Sequence, residues 1–199
     1  MNNLYKNEQS GRSMVEMLGV LAIIGVLSIG GISGYSKAMS KYRINKTLDQ
    51  ISMLVMNIRS LFSSSVDYAG LDNTLSIQMG IIPADMQGTT TGTIINAYQG
   101  RVFIETAADT RQFKVTYTGL TQEACVALAT ADWGSQAGSG LQSMNIGTTA
   151  DKTQKTISQA TGSTLTYEIG TDFPISLQNA AKSCSSDTED GNGISWTYY

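Results

Sequence analysis

The sequence contains twenty consecutive residues without a charge, MLGVLAIIGVLSIGGISGYS, at positions 17–36. At about 1.5 Å per residue, a helix of this length spans about 30 Å, which is the thickness of the hydrocarbon core of a bilayer. No other feature constrains the fold as strongly. We therefore predict an apolar N-terminal helix that enters a non-aqueous environment.

Three interpretations of this run fit the residues alone. A cleaved secretory signal fits the basic start at Lys6 and Arg12 and the small residues near Ser33, but Glu16 at the head of the run is costly in lipid. A permanent membrane anchor also fits, although the positive-inside rule would then place the rest of the chain in the cytoplasm. The third interpretation is a processed segment that keeps its apolar helix.

The residues that lead into the run, Gly11-Arg12-Ser13-Met14-Val15-Glu16, resemble the processing site of a type IV prepilin. The resemblance implies cleavage after Gly11 by a dedicated peptidase, methylation of the new N-terminus at Arg12, and Glu16 at the fifth mature position. Arg12 stands where that family usually carries an apolar residue. The resemblance also implies that Glu16 meets the N-terminal amine of a neighbouring subunit, since a buried carboxylate persists when a cation pairs with it.

An apolar stripe continues beyond the uncharged run with the spacing of a helix. Its members are Ile44, Leu48, Ile51, Val55, Ile58 and Phe62. One helix from about Met14 to Phe62 accounts for both segments, with its second half packed on a sheet.

The rest of the chain predicts an α+β head in which the long helix packs on an antiparallel sheet. Alternating β-branched and aromatic residues predict strands at 101–106, 112–118, 163–169 and 194–199. The residues AADT at 107–110 predict a hairpin turn between the first two of these strands. Capping residues and apolar spacing predict short helices at about 72–79, 121–131 and 174–184. The Gly-, Ser- and Thr-rich residues 134–163 are predicted to be irregular, and 187–193 to form a hairpin turn.

Three segments of the head carry a second resemblance. They are MGIIPADM at 79–86, NAYQG at 96–100 and GLTQEAC at 119–125. These segments are similar to the heads of type IVb pilins, with the thin-pilus and toxin-coregulated-like pilins of Gram-negative bacteria as the nearest group. The leader of eleven residues is shorter than is usual for type IVb pilins.

Cys125 and Cys184 are the only cysteines. They fit either a disulfide in an oxidising compartment or two reduced thiols in the cytosol. The resemblance to pilins implies the disulfide, because that family places one bridge across its C-terminal region. Two cysteines in a chain without histidine make an incomplete metal site, so no metal is expected.

Charge divides the chain into two parts. Residues 1–65 carry seven basic and three acidic groups, a balance of +4, whereas residues 66–199 carry six basic and thirteen acidic groups, a balance of −7. A basic cluster follows the apolar run: Lys37, Lys41, Arg43 and Lys46. It fits lipid headgroups, DNA, or the acidic heads of neighbouring subunits, and we favour the last because a filament supplies that partner itself.

Gly30 and Gly34 form a small-xxx-small pair that allows helices to approach closely.

Little in the sequence indicates catalysis. Without histidine the chain has no Ser-His-Asp or Cys-His constellation, and the Gly-rich segment near 134–140 lacks the Lys-Ser or Lys-Thr of a phosphate loop. The acidic segment 187–193 suggests calcium, but Gly191 occupies the fifth place of an EF-hand pattern. We expect neither an enzyme nor a cofactor, and no small-molecule substrate.

The expected domain organisation is a leader at 1–11, a membrane and filament-core helix at 12–35, its amphipathic half at 36–66, and a head at 67–199 bounded by the 125–184 disulfide. The resemblance implies the major pilin of a type IVb pilus used for adhesion, aggregation, conjugation or secretion. Its partners would be the prepilin peptidase, other pilin subunits and the inner-membrane assembly machinery. The head would lie in the periplasm before assembly and outside the cell afterwards.

Two alternatives remain open. The first is a minor pilin or a pseudopilin of the type II secretion kind. The second is a secreted disulfide-bonded binding protein with a cleaved signal, whose mature chain would begin near Gly34.

Overall fold

The computed structural model describes residues 14–134, 139–186, 188 and 190–199. The chain divides into two compact units, residues 1–41 and 42–199. The leader and the first two residues after it lie outside the described part, as do Asp187 and Glu189 of the acidic segment.

The first helix, α1, runs from Met14 to Leu61, as the sequence predicts to within one residue. In its second half, Ile51, Val55 and Ile58 of the predicted stripe are buried, and Leu54 joins them. The stripe members nearer its ends are partly buried against the same core: Ile44, Leu48 and Phe62. This half of α1 packs through the face that the apolar spacing indicates.

Two polar residues of α1, Thr47 and Gln50, are also buried. The Thr47 hydroxyl donates to the carbonyl oxygen of Arg43 at 2.8 Å, and the Gln50 amide donates to Asp85 at 3.0 Å. The burial of Thr47 is therefore compensated by a hydrogen bond, whereas that of Gln50 is compensated only at its amide nitrogen, since Gln50 Oε1 is buried without a partner among the described residues.

Six antiparallel strands form one sheet in the spatial order β1-β2-β3-β6-β4-β5. The strands are β1 (Ile94–Ile95), β2 (Arg101–Thr106), β3 (Phe113–Leu120), β4 (Leu141–Thr148), β5 (Thr166–Glu168) and β6 (Asn192–Tyr198). The predicted hairpin is present, because β2 and β3 are joined by the short turn that follows Thr106. The last strand of the chain, β6, lies between β3 and β4. The predicted α+β class is confirmed.

The prediction that residues 134–163 are irregular is wrong in part, since β4 occupies 141–148 in the interior of the sheet. Its sequence, LQSMNIGT, contains only three large apolar residues, Leu141, Met144 and Ile146. The pairing of β4 with β6 also shifts register between Leu141 and Ser143. Strand propensity is therefore weak. Pairing with β6 on one side and β5 on the other stabilises the strand, and those partners are distant in sequence.

The described part of the head also contains three short α-helices, each with a side-chain N-cap, and one 3₁₀ helix, Ala84–Met86, without such a cap. The α-helices are α2 (Asn73–Gln78), α3 (Gln122–Ala129) and α4 (Leu177–Ser183), with caps from Asp72, Thr121 and Ser176. All three lie within the predicted ranges. The prediction of a hairpin turn at 187–193 is wrong, because Asn192 and Gly193 already belong to β6 and the preceding element is the helix α4, not a strand.

The disulfide is confirmed and joins Cys125 of α3 to Cys184 at the end of α4, with 5.8 Å between the Cα atoms. Both cysteines are fully buried. In the same core, the Trp196 ring packs edge-on against Tyr117 and Trp133 at centroid distances of 5.7 and 5.1 Å. The head therefore has a closed core of its own, reinforced by one covalent bond.

Candidate assembly surface

The first half of α1 presents an apolar surface that nothing in its own unit covers. Every residue from 14 to 38 is exposed, and the large apolar side chains range from Ile24, 52% exposed, to Met14, 84% exposed. An 18-residue window of this helix has a mean hydropathy of 2.2. Of the described helices, it alone is long and apolar enough to cross a bilayer. Such a surface requires lipid or other apolar helices around it.

Gly30 and Gly34 lie within this exposed stretch. Apart from the backbone of the helix itself, no atom of the described chain lies within 4 Å of where a Cβ would be at either position. The subunit's own packing therefore gives no reason for glycine here. The same is true of Gly19, Gly25 and Gly31, so a close approach by a second helix at the small-xxx-small pair stays a prediction of the sequence.

The other predicted site residues of this region divide into two groups. Gly11 and Arg12 lie outside the described residues, whereas Glu16 is exposed in the first described turn of α1. Lys37, Lys41 and Arg43 are exposed as well. These side chains are accessible to a partner, and the structure brings none of them together with the cysteines.

Lys46, the fourth member of the predicted basic cluster, is paired within the head. Its ammonium lies 2.9 Å from Asp85 Oδ2, the same oxygen that accepts from Gln50. The hydrogen bond between Lys46 and Asp85 raises the pKa of Lys46 and lowers that of Asp85. Lys46 therefore joins α1 to the segment that contains Asp85, in addition to any role in assembly.

Two of the segments that resemble type IVb pilins meet in space. Asn96 Oδ1 accepts from the backbone N–H groups of Tyr98 and Gly100 at 2.8 and 3.0 Å, and its amide donates to the carbonyl oxygen of Thr118 at 2.8 Å. A Cβ at Gly100 would overlap that same carbonyl group and lie 2.9 Å from the Cα of Gly119. Asn96 therefore bonds this segment to the end of β3, and the absence of a side chain at Gly100 allows the two backbones to lie this close.

The third segment, 79–86, is attached to α1. The Asn57 amide donates to the carbonyl oxygen of Ile81 at 2.9 Å, and Ile81, Ile82 and Met86 are buried. Together with the Lys46–Asp85 pair, this contact holds the segment on the head's part of the long helix.

An ion cluster that the sequence analysis did not identify lies on the sheet. Glu105 of β2 accepts from Lys114 of β3 at 2.6 Å and from Lys155 at 2.8 Å. Burial alone would raise the pKa of Glu105, but the two lysines outweigh it and the pKa is lowered. Glu105 and Lys114 are cross-strand partners in the β2–β3 hairpin. The ion pair between them could therefore have been predicted from the hairpin. Nothing local in the sequence indicated Lys155.

Residues suited to metal binding do not cluster in the part of the chain that the structure describes, where no group of three or more His, Cys, Asp or Glu side chains is placed to hold an ion. The calcium interpretation of 187–193 rests partly on Asp187 and Glu189, which lie outside that part.

Comparisons with known proteins agree on one class. A family profile described as PilS N terminal matches residues 41–199. The protein is therefore a type IVb pilin, as the sequence resemblance predicts. More particularly, the chain belongs to the PilS N-terminal family, which is a family of structural pilins and not of enzymes.

Two characterised relatives are pilus subunits. The chain is 28% identical over 134 residues to the major structural subunit of the bundle-forming pilus of Escherichia coli O127:H6, covering 66% of this chain and 69% of that protein. It is 24% identical over 135 residues to the toxin coregulated pilin of Vibrio cholerae, covering 63% and 59%.

Two crystal structures share the fold at lower identity. One is the type IV b pilin from Salmonella typhi, with a TM-score of 0.54 and 20% identity, covering 77% of this chain and 98% of that chain. The other is TcpA, a type IV pilin from Vibrio cholerae El Tor biotype, with a TM-score of 0.51 and 14% identity, covering 79% and 99%.

Proposed function

We propose that this chain is the major subunit of a type IVb pilus, cut after Gly11 and assembled into a helical surface filament. The observation that carries the proposal is the contrast within α1. Residues 14–38 expose an apolar surface long enough to cross a bilayer, while the head closes its own core. A filament core built from such helices buries the surface that lipid buries before assembly.

Before assembly, the subunit would be held in the inner membrane by α1, with its head in the periplasm. The disulfide supports this location, because such bonds form and persist in oxidising compartments. Prepilin peptidase and the inner-membrane assembly machinery are the partners that this route requires, and other copies of the chain are the partners in the filament.

Mass spectrometry of the mature N-terminal peptide tests the route. We expect a peptide that begins at Arg12, with or without a methyl group on its amine. A peptide that begins after Ser33 would instead identify a cleaved secretory signal and overturn the proposal.

Sheared surface filaments should consist mainly of this chain. Trace abundance in them would indicate the minor-pilin alternative.

Glu16 is proposed to pair with the N-terminal amine of a neighbouring subunit during assembly. A Glu16→Gln variant keeps the shape of the side chain and removes its charge. We expect normal cleavage after Gly11 and at least about a tenfold loss of incorporation into filaments, because the buried amine would lose its partner. Normal incorporation of this variant would contradict the pairing.

The exposed basic residues are proposed to contact the acidic heads of neighbouring subunits. The double variant Lys41→Glu/Arg43→Glu should weaken filaments, with a smaller difference at high salt because exposed charges are screened within about 10 Å at 0.1 M. Lys182→Glu on α4 is the matched control, because it reverses an exposed charge outside the cluster. Filaments of unchanged yield and stability in the double variant would refute this contact.

A further inference from the structure

A cavity of about 300 Å³ lies on the sheet under the connection that follows β4. Its floor comes from β2, β3, β4 and β6, and its rim includes Lys155 and Thr156 of that connection. Side chains alternate across a strand. The floor residues Lys114 and Thr116 therefore lie on the face of β3 opposite Phe113 and Val115, which belong to the hydrophobic core.

The cavity is basic in a head that is otherwise acidic. It contains Lys114 and Lys155 with the single carboxylate of Glu105, a balance of +1, whereas residues 66–199 together carry −7. The two ammonium groups are held at a common point because each contacts a different oxygen of Glu105, at 2.6 and 2.8 Å. An ammonium has three N–H donors. Each lysine thus retains donors for a second anion.

Uncharged hydrogen-bonding groups stand beside these cations. The side chain of Asn145 is half-buried in the cavity wall and makes no hydrogen bond to any described residue. The hydroxyls of Thr116 and Ser195 pair with each other at 2.9 Å on the floor. The Asn145 amide carries both a donor and an acceptor that no described side chain uses, so it can bind the hydroxyls that a ligand supplies.

We propose that this cavity binds a sugar acid, with the carboxylate on Lys114 and Lys155 and ring hydroxyls on Asn145 and its neighbours. The volume lies at the small end of ligand sites, which suits one sugar unit of a longer glycan. The lining is polar and charged except for Ile157, which gives a lipid chain little apolar surface to contact. The proposal specifies what the filament of the proposed function would recognise, and it rests on that function only for its biological setting.

A weak site of this kind is effective in a filament. A monosaccharide makes few contacts, and both lysines already have one anionic partner, so one cavity alone gives modest affinity. A filament repeats the cavity in every subunit, and simultaneous engagement of several sites raises the overall affinity by about 10²–10⁴ without any new contact.

The test uses the full chain in detergent micelles, so that binding is measured independently of assembly. Saturation-transfer NMR titrations compare glucuronic acid with glucose, which differ only at the C6 carboxylate. We expect saturable binding of glucuronic acid and at least about tenfold weaker binding of glucose, since a charge-assisted hydrogen bond is about twice as strong as a neutral one. Increasing salt should weaken the binding of glucuronic acid and leave that of glucose nearly unchanged.

Four variants distinguish specific binding of the sugar acid from non-specific attraction between an anion and basic side chains. Lys155→Gln should weaken glucuronic acid binding about five- to tenfold, and Lys155→Arg should retain most of it, because the charge remains. Asn145→Ala should weaken both sugars to a similar degree. Lys152→Gln removes an exposed charge from the same connection without touching the cavity, so it should change nothing.

Equal binding of the two sugars, or equal losses in Lys155→Gln and Lys152→Gln, would overturn the inference. Such a result leaves the pilin assignment intact, because filament yield and the mature N-terminus are measured separately. A Lys155→Gln chain that is fully folded at the temperature of the titration shows that its lost binding is not a loss of folding, even if the missing Glu105 contact lowers its melting temperature slightly.

Discussion

The two halves of α1 have the same secondary structure and opposite surroundings. Residues 14–38 are all exposed, although they are mostly apolar, whereas the second half buries Ile51, Leu54, Val55 and Ile58 in the head core. Apolar content alone therefore does not determine what a helix packs against. The head completes its own core, whereas the described residues of the first unit leave the first half of the helix uncovered.

The largest expected effect comes from removing the disulfide, which belongs to the head alone. The Cys125→Ala/Cys184→Ala double variant should lose about 4 kcal/mol of unfolding free energy, because the bond closes a loop of 59 residues in the unfolded chain. Guanidinium unfolding followed by tryptophan fluorescence reports on the head, where Trp196 is buried. A loss below about 1 kcal/mol would show that the core holds the head without the covalent bond.

Two isoleucines of the same helix test the comparison directly. Ile51 is 0% exposed and Ile32 is 67% exposed. Ile51→Ala should cost the head about 3 kcal/mol in the same unfolding experiment, because it removes buried methyl groups and leaves a cavity. Ile32→Ala should change that free energy by less than about 0.5 kcal/mol. Equal effects of the two substitutions would contradict the conclusion that only the second half of α1 is packed in the head core.

The smallest expected effect concerns the pH dependence of the head. Because its two lysines lower the pKa of Glu105, ionised Glu105 stabilises the fold above its unfolded pKa of about 4.3, and this contribution is lost as the pH falls through the lower folded pKa. Glu105→Gln should therefore melt about 2–4 °C below wild type at pH 7, which corresponds to about 1 kcal/mol. The difference should shrink as the pH falls below about 4.

Asp109→Asn is the matched control for that experiment, since Asp109 pairs with Arg111 at 3.2 Å on the exposed turn of the same hairpin. Exposed pairs contribute little, so this variant should melt near the wild-type temperature at both pH values. A Glu105→Gln deficit that persists at low pH would assign the effect to packing and not to the ion pairs.

Much of the fold was predictable because its signals are local. The bounds of α1, the β2–β3 hairpin and the caps at Asp72, Thr121 and Ser176 depend on residues within a few positions of each other. The stripe predicted burial of Ile51, Val55 and Ile58 correctly, and Leu54 lay within one turn of them.

The candidate sites were predictable only in part. The apolar run and the basic cluster are visible in the sequence, but the pairing of Lys46 with Asp85 joins residues on different elements. The contact between Lys155 and Glu105 could not be predicted from the sequence either, because the two residues lie 50 positions apart. Contacts of this kind depend on how the connection after β4 folds back onto the sheet.

The sequence by itself determined the long helix, its uncharged first half and the resemblance to type IVb pilins, because helical periodicity and short motifs are properties of neighbouring residues. Only the tertiary structure decided that β4 lies inside the sheet and that β6 separates it from β3. A strand as weakly patterned as LQSMNIGT forms because both of its edges find partners. Those partners are brought to it by the fold of the whole head.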